Sequence, residues 1–162
     1  LLADTYEQLG YGSENGTWRD FFLSGATELR HGSFGTPTQT SAADIVTQLT
    51  PAMLFDALAI QVHGPRCWDE QLTLDVVLTD TDERYRLRLA NGVLTYSPRP
   101  QRGVPDATIT TTSPTLPMMA LGMLSADGFD AAGVEISGDA TALLRLVAAL
   151  DPGDPDFAIV TP

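Results

Sequence analysis

The chain has 162 residues, enough for one domain with its own core or a domain plus an appendage. Its net charge of −12, from 9 Lys and Arg against 21 Asp and Glu, repels phosphate backbones and anionic headgroups, which argues against nucleic acid and polybasic membrane docking. A hydrophobic content of 43% excludes a disordered chain, no apolar run reaches membrane-spanning length, and a single cysteine, Cys67, excludes an internal disulfide framework. The chain opens at Leu1 without an initiator methionine, as expected of a piece of a longer protein, so a missing signal peptide says nothing about compartment.

Residues 1–31 read as two helices. Leu2, Tyr6 and Leu9 recur at helical spacing in the first, and Trp18, Phe22, Gly25, Ala26 and Leu29 in the second, with Gly32 as a stop. Two helices cannot enclose Tyr6, Tyr11, Trp18, Phe21 and Phe22, so they are expected to pack on something outside this chain or on the domain that follows. A polar, proline-containing linker at residues 35–41 sets the boundary between segments 1–35 and 36–162.

A short helix then carries Ala42, Ile45, Val46 and Leu49. Thr50-Pro51 is a cap followed by proline at the first helical position, and the helix it opens ends near Gly64-Pro65. That helix is apolar on nearly every side, as a buried or cavity-lining helix must be. From Gln71 to Ser97 the alternation changes to period two. Leu72, Leu74, Val76 and Leu78 alternate with polar residues, as do Tyr85, Leu87 and Leu89 with Arg84, Arg86 and Arg88. Asn91-Gly92 predicts a two-residue turn that sets Leu89 beside Leu94, Leu87 beside Tyr96 and Arg88 beside Thr95. With Thr81-Asp82 as the preceding loop, Leu78 is expected opposite Tyr85, Val76 opposite Leu87, Leu74 opposite Leu89, and Asp75 opposite Arg88. The product is a meander with one apolar face that something must cover.

Residues 106–112 predict a fourth strand with Ala107, Ile109 and Thr111 on one side. Ser113-Pro114 predicts a capped helix through Leu124 that holds Met118, Met119 and Met123. Residues 134–138 predict a short fifth strand, Asp139 a cap, and Leu143, Leu144, Leu146, Val147 and Leu150 the apolar face of a last helix. The tail, Phe157 to Val160, is expected to pack back as an extended segment. The order is an α+β layout, a five-stranded, mainly antiparallel sheet with helices layered on one face, preceded by two helices.

Little catalytic chemistry is visible. The two histidines, His31 and His63, show no zinc-binding spacing. His63 and Cys67 lack a third partner, and a buried structural thiol is the plainer reading. The acidic clusters at 80–83 and 151–156 do not fit an EF-hand loop, and residues 32–35 are no phosphate loop. The positive signal is apolar. Met53, Leu54, Leu58, Met118, Met119 and Met123, over the sheet residues Leu74, Val76, Leu87 and Tyr96, are the candidate lining of a hydrophobic cavity, because methionine adapts to apolar ligands of varied shape. The alternative is a filled core in which methionines occupy gaps, and a structural or assembly role.

The words YEQLGY, ELRHG and MLFDALAI, within a resemblance that covers essentially the whole chain, make the sequence similar to the C-terminal part of the alkyl sulfatases. These are zinc-dependent hydrolases with a metallo-β-lactamase-fold catalytic domain. The resemblance implies that residues 1–35 end a helical dimerisation domain. It further implies that residues 36–162 form a domain like sterol carrier protein type two, with an apolar tunnel. It implies a non-catalytic module whose partner is an alkyl chain or lipid-like small molecule, with homodimer contacts or packing on the catalytic portion through residues 1–31. No cofactor is expected in this chain, since zinc belongs to the catalytic domain.

Overall fold

The computed structural model describes residues 1–35, 42–98, 102–124, 126–154 and 156–161, so most of the predicted linker, from residue 36 on, lies outside the described residues. Contacts divide the chain into two units, Leu1–Gln39 with Gly153–Pro162, and Thr40–Pro152.

In the first unit, α1 (Leu2–Gly12) and α2 (Gly16–His31) pack side by side. The Asn15 side chain accepts from the Trp18 N–H at 3.1 Å and starts α2, and Gly32 at φ 82° ends it. Arg30, near the end of α2, donates to Asp4 and Glu7 on α1, each at 2.7 Å, so the helices run antiparallel. Gly10 allows the close approach: a Cβ there would lie 2.7 Å from Leu23 Cδ2. Spacing alone misjudges α2, because Trp18 and Leu29 stay exposed and the buried positions are Gly25, Ala26 and Glu28.

The buried carboxylate organises the tail. The N–H of Ile159 donates to Glu28 Oε1, and the N–H groups of Val160 (2.9 Å) and Thr161 (2.8 Å) and the Thr161 hydroxyl (3.1 Å) donate to Oε2. The expected return of Phe157–Val160 is therefore a turn of backbone wrapped around an acid of α2, and Gly25 leaves room for Val160 beside it.

The second unit holds α3 (Ala43–Val46), α4 (Pro51–Gln61), β1 (Gln71–Leu78), β2 (Glu83–Ala90), β3 (Val93–Ser97), β4 (Ala107–Thr111), α5 (Thr115–Ala120), β5 (Glu135–Gly138) and α6 (Thr141–Ala149). The strands form one mixed sheet in the order β3-β2-β1-β4-β5, in which only β1 and β4 are parallel. Leu72, Leu74, Val76 and Leu78 of β1, Leu87 and Leu89 of β2 and Ala107 of β4 make one apolar face. Leu54 and Phe55 of α4, Leu116 of α5 and Ala142, Leu146 and Ala149 of α6 cover it. Phe55 sits in an aromatic trio, with ring centroids 5.1 Å from Tyr85 and 5.5 Å from Tyr96.

The Asn91-Gly92 turn holds, with φ of 52° and 70°, and Leu89 faces Leu94, Leu87 faces Tyr96 and Arg88 faces Thr95. The first hairpin differs from the expected register by two residues: Leu78 faces Glu83, Val76 faces Tyr85, Leu74 faces Leu87 and Asp75 faces Arg86. Its loop is residues 79–82. Thr79 N–H donates to Thr111 O at 2.9 Å, and Asp80 accepts from the Ser113 N–H at 2.9 Å and hydroxyl at 3.2 Å, so the end of β4 claims residues the hairpin would need. A shift of two keeps every side chain on its face. It also puts Asp75 and Arg86 in a two-pronged ion pair at 2.6 and 2.8 Å, with Arg86 Nη1 donating to Gly103 O at 3.0 Å.

Two helices are also revised. The methionine helix stops at Ala120 instead of Leu124, because Gly122 takes φ 66°. Ser113 gives its hydroxyl to Asp80 and does not cap it. On α6, Asp139 does accept from the Thr141 N–H (2.9 Å) and hydroxyl (2.6 Å), but Leu144 and Val147 face solvent.

Candidate functional site: an apolar groove on the second unit

The apolar periphery of α4 has two destinations. Phe55, Ala59 and Val62 pack toward the core alone, while Leu54 and Leu58 both pack against the core and, with Ala57 and Gln61 at positions i, i+3, i+4 and i+7, line a groove of about 450 Å³. Ile45, Val46 and Leu49 form the wall on the α3 side, and Ala120 and Leu121, at the end of α5, the other. Val46 and Leu54 are buried at the floor, whereas Ile45 and Ile60 stand at the rim, 51% and 86% exposed. The volume falls within the range of about 300–1,000 Å³ typical of small-molecule sites. α3 sits where it does because its last turn is closed by Thr47, whose hydroxyl donates to Ala43 O at 2.7 Å. The start of α4 is fixed by Thr50, which accepts from the Met53 N–H at 3.3 Å.

Of the ten residues singled out from sequence, the structure brings Leu54 and Leu58 to the groove. Leu74, Val76 and Leu87 are 1–3% exposed within the core. Tyr96 is half-buried beside Phe55; burial, and then the negative charge of Asp56, push its phenol up. Met118 and Met119 are half-buried on α5, and Met53 and Met123 are mostly exposed; none of the four lines the groove. Sequence reasoning missed Ile45, Val46, Leu49, Ala57, Ile60, Gln61, Ala120 and Leu121 as lining residues. The stripe at 54, 57, 58 and 61 was available as a signal, since a helix apolar all round has a second face to account for.

The polar candidates do not assemble. His63 Nδ1 accepts from the Arg66 N–H at 3.2 Å, and Cys67 is buried with Sγ 3.4 Å from His63 O, so the imidazole is turned to a backbone amide. Among the described residues no three His, Cys, Asp or Glu side chains gather as a cation would need, and no helix is long and apolar enough to cross a membrane.

Residues 39–162 match the family described as alkyl sulfatase C-terminal, and residues 1–32 that described as alkyl sulfatase dimerisation. The chain belongs to the alkyl sulfatase family. It is 39% identical over its full length to a linear primary-alkylsulfatase of Pseudomonas sp., of which it covers 24%. It superposes on the stereoselective inverting sec-alkylsulfatase Pisa1 of Pseudomonas sp. with a TM-score of 0.82 and 35% identity, covering 99% of this chain and 25% of that one. Sterol carrier protein 2 like 2 of Aedes aegypti aligns over 67% of this chain and 100% of its own, at 16% identity and a TM-score of 0.44. The chain thus spans about a quarter of the length of the alkylsulfatases it matches.

Proposed function

We propose that this chain is a non-catalytic C-terminal module of an alkyl sulfatase, and that its groove holds the apolar chain of an amphiphile. The observation that carries the reading is the groove walled by Ile45, Val46, Leu49, Leu54, Leu58 and Leu121, an apolar concavity open beside the core. The zinc that the family resemblance implies belongs, in this reading, to the catalytic portion of the longer protein; among the described residues no three His, Cys, Asp or Glu side chains gather to hold it. A chain of about ten methylenes, fully enclosed, contributes about 8 kcal/mol, which offsets an association cost of several kcal/mol.

Calorimetric titration of the 162-residue chain with octanol, decanol and dodecanol tests the reading. Affinity is expected to rise about two- to fourfold per methylene, and Ile45→Glu, at an exposed rim position, is expected to weaken it without unfolding the domain. Absence of saturable binding across the series refutes it.

A second role rests on a separate observation. Tyr11, Trp18 and Phe21 are 70%, 65% and 54% exposed on the two-helix unit, which is the part matched to the dimerisation family. Exposed aromatic side chains of this kind mark an assembly surface. Trp18→Ser with Phe21→Ser is expected to lower the mass measured by light scattering from dimer to monomer; an unchanged mass removes the assembly role.

A further inference from the structure

Among the described residues, the lining of the groove carries no arginine or lysine. The sequence has no Arg or Lys from residue 32 to 65 or from 103 to 144, the stretches that hold α3, α4 and α5. The first cation after α4 is Arg66, beyond the Gly64-Pro65 break, and no arginine is among the lining residues. Three of the other arginines are already committed, Arg30 to Asp4 and Glu7, Arg86 to Asp75, and Arg145 to Glu70. The charges that α3 and α4 do carry are negative, Asp44 and Asp56, both exposed and on helix faces turned away from the lining, so what opposes an anion here is the chain's overall charge of −12. The carboxyl end of α4, the pole that disfavours an anion, closes at the groove with Ile60 and Gln61. The polar group that remains is the neutral amide of Gln61, which can donate to and accept from a hydroxyl.

From this we infer that the groove takes long-chain molecules with a neutral head, an alkanol, in preference to the anionic alkyl sulfate. This rests on the proposed chain-holding function and narrows its ligand. Hydrolysis of an alkyl sulfate ester, ROSO₃⁻ + H₂O → ROH + HSO₄⁻, converts the disfavoured amphiphile into the favoured one, with the same alkyl chain on both sides. The module therefore serves the exit of the apolar product. Its charge turns back the sulfate ester, and its apolar walls keep a sparingly soluble alcohol out of water.

The test is a head-group series on one tail. Decyl sulfate, decanol and decyltrimethylammonium, each below its micelle concentration, are titrated into the full chain at about 20 mM and about 500 mM salt. Decanol is expected to bind at least about tenfold more tightly than decyl sulfate at low salt, the ammonium no more weakly than decanol, and the sulfate deficit is expected to shrink at high salt. Gln61→Arg, at an exposed lining position, is expected to raise the ratio of decyl sulfate to decanol affinity about tenfold at low salt. Decyl sulfate binding as tightly as decanol in the natural chain, or a sulfate-to-alcohol ratio unmoved by Gln61→Arg, overturns the inference while the chain-holding function stands. Failure of all three ligands overturns that function as well.

Discussion

Glu28 is a buried acid that works as an acceptor for backbone. Burial pushes its carboxyl up, but the N–H groups of Thr161, Ile159 and Val160 and the Thr161 hydroxyl together outweigh this and hold it below the usual glutamate range. A carboxylate whose folded value is depressed adds stability that is present above its unfolded value and is lost as the pH falls through the folded one. The protection of the Ile159, Val160 and Thr161 amides against hydrogen exchange is therefore expected to be full at neutral pH and to decline below about pH 4.3. Glu28→Gln is expected to reduce that protection about tenfold at neutral pH and to abolish its acid limb. Protection that is independent of pH in the natural chain contradicts this account. Sequence alone did not show Glu28 as special, because its donors come from residues 131 to 133 positions later and a local pattern carries no trace of them.

At the scale of elements, legibility follows how local the determinants are. The second hairpin is written in two residues, since Asn91 and Gly92 both accept positive φ and the pairing outward from them admits one register. The first hairpin is decided elsewhere. Its loop is set by bonds from Thr79 and Asp80 to Thr111 and Ser113, about thirty residues away in the chain, and alternation constrains register only to multiples of two. The parallel pairing of β1 with β4 is likewise invisible in a strand pattern that states faces but not neighbours. For the candidate site, the all-apolar α4 called for a buried or cavity-lining helix, and its Leu54 and Phe55 are buried. The methionines of α5 lie outside the lining of the groove, and Gly122 ends the helix before Met123. The two faces of α4 predict opposite phenotypes. Phe55→Ala, at 1% exposure in the aromatic trio, is expected to cost about 3–4 kcal/mol in urea unfolding. Ile60→Ser, at the groove rim, is expected to change stability by less than about 0.5 kcal/mol while weakening alkanol binding. Equal destabilisation by both would mean that Ile60 belongs to the core.

At the scale of the whole molecule, the fold class was readable because runs of period-two and of helical spacing follow one another along the sequence. The grouping of residues 153–162 with 1–39 was not readable, since an Asp- and Pro-rich tail carries no periodicity to report its partner. That grouping governs the order in which the protein can be completed during synthesis. Residues 40–152 have every strand of their sheet in hand before the tail is made, whereas the acid on α2 must wait until Ile159 to Thr161 leave the ribosome. A released chain that ends just short of Phe157 is therefore expected to hold a finished sheet beside an unfinished pair of helices, detectable as proteolytic cleavage confined to the stretch around Glu28.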